Sequence, residues 1–252
     1  MLLGLILLAT VVAACLLILH PPVWFPVAIT SAAVAYDRQF SWTLWVTGSL
    51  FIAAQLLLAW IVIRRRKSVT RPATSSGVRA SLFAAVAMIA VEIALAAHGN
   101  GPLSHSEPKD AETIEVYAHQ FAWNFRYPGA DGVFGRVGTE FIADAAGNPV
   151  GIDPSDSRGN DDIVTPVLRI PAGRDVRLLL HSRDVIHDFF VRELRTKQDI
   201  VPGMVIPLDI HADRIGQYEI ACAELCGLGH NQMHSILVVM PGEEYDRWKL
   251  QH

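Results

Sequence analysis

Toward its C-terminus the chain reads Cys222-Ala-Glu224-Leu-Cys226-Gly-Leu-Gly-His230-Asn-Gln-Met233. Two thiols, an imidazole and a thioether therefore share one short stretch, with glycines that let it turn. Thiolate, imidazole and a weak axial thioether are the soft ligands that suit copper moving between its two oxidation states. Zinc would take the cysteines and histidine and gain little from Met233. A mononuclear copper loop needs only one cysteine. Two thiolates can bridge two copper ions, each of which then requires an imidazole, so a second histidine must come from elsewhere in the chain. His187, in Asp184-Val-Ile-His187-Asp-Phe-Phe, follows an expected strand and sits at a turn from which it can reach the loop. His181 and His211 compete for the role, and His234 lies where the next strand begins. Each residue alone has a plainer use: a buried cysteine as a small apolar group, Met233 as core, Cys222 and Cys226 as a disulfide in an oxidising compartment. The coincidence of soft ligands favours a metal.

A loop can hold ligands only if rigid elements hold the loop. Thr113–Ala118, Phe121–Tyr127, Val167–Ile170, Val176–His181, Val205–His211, Tyr218–Ala221 and Ile236–Met240 are short, β-rich runs between Gly, Pro and Asp turns, which predicts an antiparallel β-sandwich over 113–252. Residues 143–162, rich in Asp, Gly, Pro and Ser, are expected as a surface insertion, and Glu243–Leu250 as a short closing helix. This region carries 14 basic against 23 acidic side chains over residues 104–252. An acidic surface can steer a basic soluble partner, although a solvated surface explains the charge equally well.

The first hundred residues obey different rules. The whole chain is 51% hydrophobic and 18% charged, with a mean hydropathy of +0.30, yet residues 1–63 contain just two charged side chains, Asp37 and Arg38. A disordered chain and an ordinary water-soluble one are both excluded. Residues 1–103 read as a transmembrane anchor with spans at about 2–19, 42–63 and 80–97, followed by a linker at 104–112. No basic residue precedes the first apolar run, which argues for a retained helix over a cleaved signal. Val12-Ala13-Ala14-Cys15 loosely resembles a lipoprotein cleavage site, but Leu16–Leu19 stay apolar. Six basic side chains and no acid lie between residues 64 and 79, which places that loop in the cytoplasm and everything after Gly99 outside. Gln55 and Glu92, polar residues within the spans, are read as contacts with a partner subunit's helices.

The stretch Cys222–Met233 resembles the C-x-E-x-C-x-x-x-H-x-x-M signature of subunit II of the haem-copper cytochrome c oxidases. His119-Gln-Phe-Ala-Trp123-Asn-Phe-Arg-Tyr127-Pro, Asp184-Val-Ile-His187 and Lys197-Gln-Asp199-Ile-Val-Pro202-Gly203-Met204 support it, and together they cover most of 113–248. The resemblance implies a cupredoxin-like domain with two copper ions, bridged by Cys222 and Cys226 and each bound by one of His187 and His230. It further implies Met233 and the Glu224 carbonyl as weak axial ligands, and the Glu224 side chain on a magnesium ion shared with subunit I. Electrons from cytochrome c, or a complex containing it, would pass through the copper pair to haem in subunit I, where oxygen is reduced with proton translocation. The implied setting is a bacterial plasma membrane, with the copper domain periplasmic and with subunit I, other oxidase subunits and lipid as neighbours. No nucleic-acid partner is expected.

Several positions depart from the family pattern. Relatives often carry Trp-Tyr-Trp after the His-Gln pair; here Phe121 and Ala122 hold the first two places, leaving Phe121 and Trp123 as the aromatic side chains through which electrons would enter. Arg126 and Arg183 stand where relatives often have acids for cytochrome docking, while Asp184 remains. The usual Glu-x-x-Trp-Thr-x-x-Pro stretch at the last membrane helix is missing, many relatives have two spans, and no Cys-x-x-Cys-His follows the copper domain. The competing functions are the copper subunit of a nitric oxide reductase and a membrane-anchored copper chaperone.

Overall fold

The structure, a computed structural model, describes residues 2–19, 25–64, 75–99 and 110–251. Most of the expected basic loop at 64–79 and of the linker at 104–112 lies outside the described residues. The chain divides into two compact units, Met1–Pro26 with Val34–His105, and Val27–Ala33 with Ser106–His252.

The first unit is helical: α1 (Leu2–Leu19), α2 (Ser31–Arg64) and α3 (Ser75–Gly99). Among the described residues, Ser31–Ile61 and Arg79–Ala97 are long and apolar enough to cross a membrane, while the described apolar part of α1, Leu5–Leu16, is shorter. Helix α2 starts upstream of the expected Trp42 because Thr30 caps it: the Thr30 hydroxyl accepts the Ala33 N–H at 2.7 Å. Ser41, Thr43 and Thr47 donate their hydroxyls to the carbonyls of Asp37, Gln39 and Thr43 one turn back, so these groups are satisfied within the helix, as an apolar surround requires. Gln39 Nε2 donates to the Leu95 carbonyl at 2.9 Å and ties α2 to α3. Of the two polar residues singled out within the spans, Gln55 has a buried Oε1 without a hydrogen-bond partner, and Glu92 is exposed on α3.

The second unit packs two five-stranded sheets, built from β1 (Glu112–His119), β2 (Ala122–Tyr127), β3 (Ile163–Thr165), β4 (Leu168–Pro171), β5 (Asp175–Ser182), β6 (His187–Val191), β7 (Thr196–Ile200), β8 (Ile206–His211), β9 (Gly216–Cys222) and β10 (His234–Met240). The strand orders are β3-β2-β1-β5-β8 and β4-β10-β9-β6-β7. Helix α4 (Gly242–Leu250) follows. The expected antiparallel sandwich needs one correction: β1 runs parallel to β5, and β4 parallel to β10. Parallel neighbours need long connections, and both pairs have them, with several strands intervening in sequence. Alternation delivers the core, since Ile114, Val116 and Ala118 of β1 and Val176, Leu178 and Leu180 of β5 are buried on one side while their neighbours are not. Ile29, just before α2, joins this core; its N–H donates to the Glu193 carbonyl and its own carbonyl accepts the Asp213 N–H.

The segment between β2 and β3 begins at Pro128, before the insertion expected at 143–162, and does more than decorate the surface. Arg126 of β2 points away from the sandwich core yet is wholly buried beneath this segment. It donates to Glu115 at 2.9 Å, to the Gly135 carbonyl at 2.5 Å and, twice, to Asp162, whose side chain is itself buried. The Phe134 ring lies 5.0 Å from the guanidinium. Breaking a buried ion pair from one side leaves an uncompensated charge, at a cost of about 3–5 kcal/mol. Arg126→Met should therefore lower the unfolding free energy of the β unit by about that amount. Urea titration of the full chain in detergent, followed by tryptophan fluorescence, checks this; a loss below about 1 kcal/mol would match an exposed pair instead.

Candidate metal centre

Strand β9 ends at Cys222 and β10 begins at His234, with His234 paired to Ala221. The loop between them is closed at its neck by the Cys222 N–H, which donates to the Met233 carbonyl at 3.1 Å, and the Ala223 N–H ties it to the Asp188 carbonyl of β6. A 3-10 turn at His230–Gln232 then returns the chain to β10. Because β6 pairs with β9, matching Phe189 to Cys222, His187 at the start of β6 is delivered beside the loop. Trp123 forms part of the floor: its Nε1–H donates to the Met233 carbonyl at 3.4 Å, and its ring meets Phe189 edge-on.

Within this frame the side chains converge. Cys222 Sγ and Cys226 Sγ are 3.8 Å apart and not bonded to each other. Each sulfur has its own imidazole: His187 Nδ1 lies 3.9 Å from Cys222 Sγ, and His230 Nδ1 lies 3.6 Å from Cys226 Sγ. Met233 Sδ is 3.8 Å from Cys226 Sγ, and the Glu224 carbonyl is 3.2 Å from Cys222 Sγ. With a metal–sulfur bond of roughly 2.3 Å, one ion can touch two sulfurs up to about 4.6 Å apart, so the observed spacing admits metal between them. Cys222, Cys226, His187 and Met233 are buried, and the donors are soft, so the residues present fit copper. The Glu224 side chain is exposed.

Electrostatics prepare the sulfurs. Burial by itself raises the Cys222 pKa, but the His187 imidazole, together with the Asp188 and Glu224 backbone and the His230 imidazole, outweighs it and brings the thiol down to about 6. Burial and the Cys222 charge push Cys226 up to about 11. For His187, burial disfavours the charged ring, and Cys222 and Asp184 on its two nitrogens overcome that and raise its pKa. Asp184 Oδ1 stands 2.8 Å from His187 Nε2, which fixes the proton on Nε2 and leaves Nδ1 facing the sulfur. Asp184, noted in the sequence only as an acid suited to docking, is turned inward as the orienting partner of a ligand.

The rival histidines are engaged elsewhere. His181 stacks on Tyr117 with ring centroids 4.7 Å apart, His211 sits between Asp175 and Asp213, and His234 pairs with Glu219. The two arginines set against docking acids also have local employment. Arg126 is buried, as described above, and Arg183 holds Asp144 at 2.9 Å and the Pro149 carbonyl at 3.2 Å. The two aromatic residues divide: Trp123 is buried, whereas Phe121 is 38% exposed and lies over the loop. Sequence reading missed what Phe121 demands of the loop. A Cβ on Gly229 would come within 2.4 Å of the Phe121 ring, and Gly227 adopts φ +139. Both glycines are needed, one for close approach and one for backbone freedom.

Residues 112–240 match the family model described as cytochrome C oxidase subunit II, periplasmic domain. The chain is 35% identical to the alternative cytochrome c oxidase subunit 2 of Bradyrhizobium diazoefficiens, over 97% of its own length and 90% of that protein's. It is 33% identical to the cytochrome c oxidase subunit 2 of Thermostichus vulcanus, over 55% of this chain and 33% of that one. Among solved structures, the periplasmic domain of subunit II of cytochrome oxidase of Bradyrhizobium japonicum aligns with 57% of this chain and 94% of that chain, at 24% identity and a TM-score of 0.42.

The contact between Phe121 and Gly229 yields a test. Gly229→Ala should destabilise the β unit by about 1–3 kcal/mol through overpacking. Adding Phe121→Ala should remove most of that penalty, so the two substitutions should be strongly non-additive in thermal unfolding. Simple additivity would mean that the ring does not occupy the space a Cβ at Gly229 needs.

Proposed function

The chain belongs to the cytochrome c oxidase subunit II family, and on that premise we propose that it accepts electrons from cytochrome c at a dinuclear copper centre. It passes them to haem in subunit I, where oxygen is reduced with coupled proton translocation. The observation that carries this reading is the pairing of each of two adjacent sulfurs with its own imidazole. A mononuclear copper site, which takes two imidazoles and one thiolate, would leave one of the two thiols without a task.

Cys222 and Cys226 would hold the copper ions jointly, His187 and His230 one each, with Met233 Sδ and the Glu224 carbonyl as weaker donors. When bound, the copper pair supplies a one-electron relay whose charge is spread over both thiolates. The chain's own residues keep that relay stiff. The closed loop neck and the β6–β9 ladder fix the sulfurs and His187, Asp184 holds the ring of His187, and Trp123 and Phe189 exclude water from beneath. A site that changes shape little as its charge changes suits electron transfer rather than bond-making. It also opposes the chaperone alternative, which needs ligands that release copper readily. The exposed Glu224 side chain is free to reach outward toward a magnesium ion held with subunit I. Phe121, exposed above the loop, is the aromatic side chain placed for electrons to enter, and Trp123 lies behind it.

The helices anchor the domain in a bacterial plasma membrane, with α1 as a third span and the basic loop inside. One feature supports the orientation: the six basic side chains of residues 64–79 favour the cytoplasm.

Electron paramagnetic resonance of the copper-loaded chain in detergent tests the centre. A hyperfine pattern from one unpaired electron shared by two copper nuclei is expected; a pattern from a single nucleus overturns the dinuclear assignment. Cys222→Ser should lower the stoichiometry from two copper ions toward one, and an unchanged stoichiometry would contradict bridging. Met233→Leu should keep the copper while shifting its midpoint potential, and complete loss of copper would assign Met233 a stronger role than an axial one.

A further inference from the structure

The hydrogen bonds of the β1–β2 turn reach both halves of the ligand set. Gln120, at the tip of that turn, donates through Nε2 to the Cys226 carbonyl at 2.6 Å. Its backbone N–H donates to Asp184 Oδ2 at 2.8 Å. The other oxygen of the same carboxylate, Asp184 Oδ1, stands 2.8 Å from His187 Nε2 and accepts the Val185 N–H at 2.7 Å. One residue thus touches the backbone of a sulfur ligand and, through one carboxylate, the ring of a histidine ligand.

The two halves need such a link. His187 stands on a strand, but Cys226 lies beyond the last ladder residue of β9, and it is followed by Gly227 and Gly229, the residues with the loosest backbone. Gly229 is required by the Phe121 ring and Gly227 by its φ of +139, so the loop cannot be stiffened at those positions without strain. We propose that Gln120 is a positioning residue of the metal centre: its side-chain amide holds Cys226 while its backbone amide holds Asp184, so that the Cys226 and His187 halves keep a fixed separation. A neutral donor of this length is specific to glutamine. Asparagine falls short by one carbon, roughly 1.5 Å, and an apolar residue cannot donate.

This inference rests on the copper reading above, and the experiment separates the two. The full chain in detergent is loaded with copper, and its stoichiometry, hyperfine pattern and rate of copper loss to a copper-specific chelator are measured. Failure of the unsubstituted chain to take up copper overturns the copper reading, and this inference with it. Where uptake is normal, Gln120→Met, which keeps the length and removes the donor, should release copper about 10–100-fold faster, the usual effect of losing a partner behind a metal ligand. Its hyperfine pattern should also change, which a role confined to folding would not cause. Gln120→Lys restores a donor of similar reach and should bring the release rate back toward that of the unsubstituted chain. If Gln120→Met does not fold, Gln120→Glu, of the same shape but without the donor, makes the same comparison with Gln120→Lys. Equal release rates with and without a donor at position 120 would overturn the proposal.

Discussion

Two buried sulfur atoms held 3.8 Å apart and unbonded set the terms for everything around them. Thiols this close in an oxidising compartment tend toward a disulfide, and thiolates this close repel each other. The two sulfurs are not equivalent. Cys222 has the His187 ring beside it and gives up its proton easily, while Cys226, facing the charge on Cys222, keeps its own. A metal replaces the proton and neutralises both sulfurs at once, so the protein is poised for that exchange by the environment of two atoms.

Each sheet of the sandwich serves this pair in its own way. The sheet containing β6, β9 and β10 supplies the ligands, since the ladder from Phe189 to Cys222 and the bond from Cys222 N–H to the Met233 carbonyl join strand ends that are far apart in sequence. The other sheet supplies the residues that restrain them. Strand β1 lies parallel to β5, so the turn after β1 and the turn after β5 emerge at the same edge, and Gln120 and Asp184 meet there. An antiparallel pairing would have sent the two turns to opposite ends. The parallel pair that corrects the expected topology is therefore the feature that brings these restraining residues to the loop.

The sequence was most readable where one residue type has one use. Cysteine, histidine and methionine at loop spacing point to soft-metal chemistry whatever the fold, and apolar runs without charge point to membrane helices. It was least readable where burial hides periodicity. Strand β6, His-Asp-Phe-Phe-Val, is buried on both faces and shows no alternation, β7 is a polar edge strand, and β3 is only three residues long. Glutamine and glycine carry no chemical signature of their own, so the work of Gln120, Gly227 and Gly229 becomes visible only through what they touch. Arg126 is the sharpest case. Its charge suggested the surface, but Glu115, Asp162 and the Gly135 carbonyl make burial tolerable, and no pattern along the strand announces that three partners will come from three separate segments.

The fate of the charged residues bears on how a donor protein is met under the proposed function. The outer region is acidic, with 23 acids against 14 bases in residues 104–252, and such a field acts over several ångströms to steer a basic protein. Yet the residues near the loop that sequence comparison would enlist for contact are already engaged: Arg126 in the interior, Arg183 with Asp144, and Asp184 with His187 and Gln120. Beside the exposed Glu224, Asn231 and Gln232, the loop and its neighbouring turns offer apolar side chains outward, with Phe121, Ile186, Leu225 and Leu228 exposed. Under the proposed function, steering and contact would be separate tasks on this surface: distant carboxylates would set a rate of encounter that falls with added salt, while the apolar side chains beside the loop would supply contact that salt does not screen.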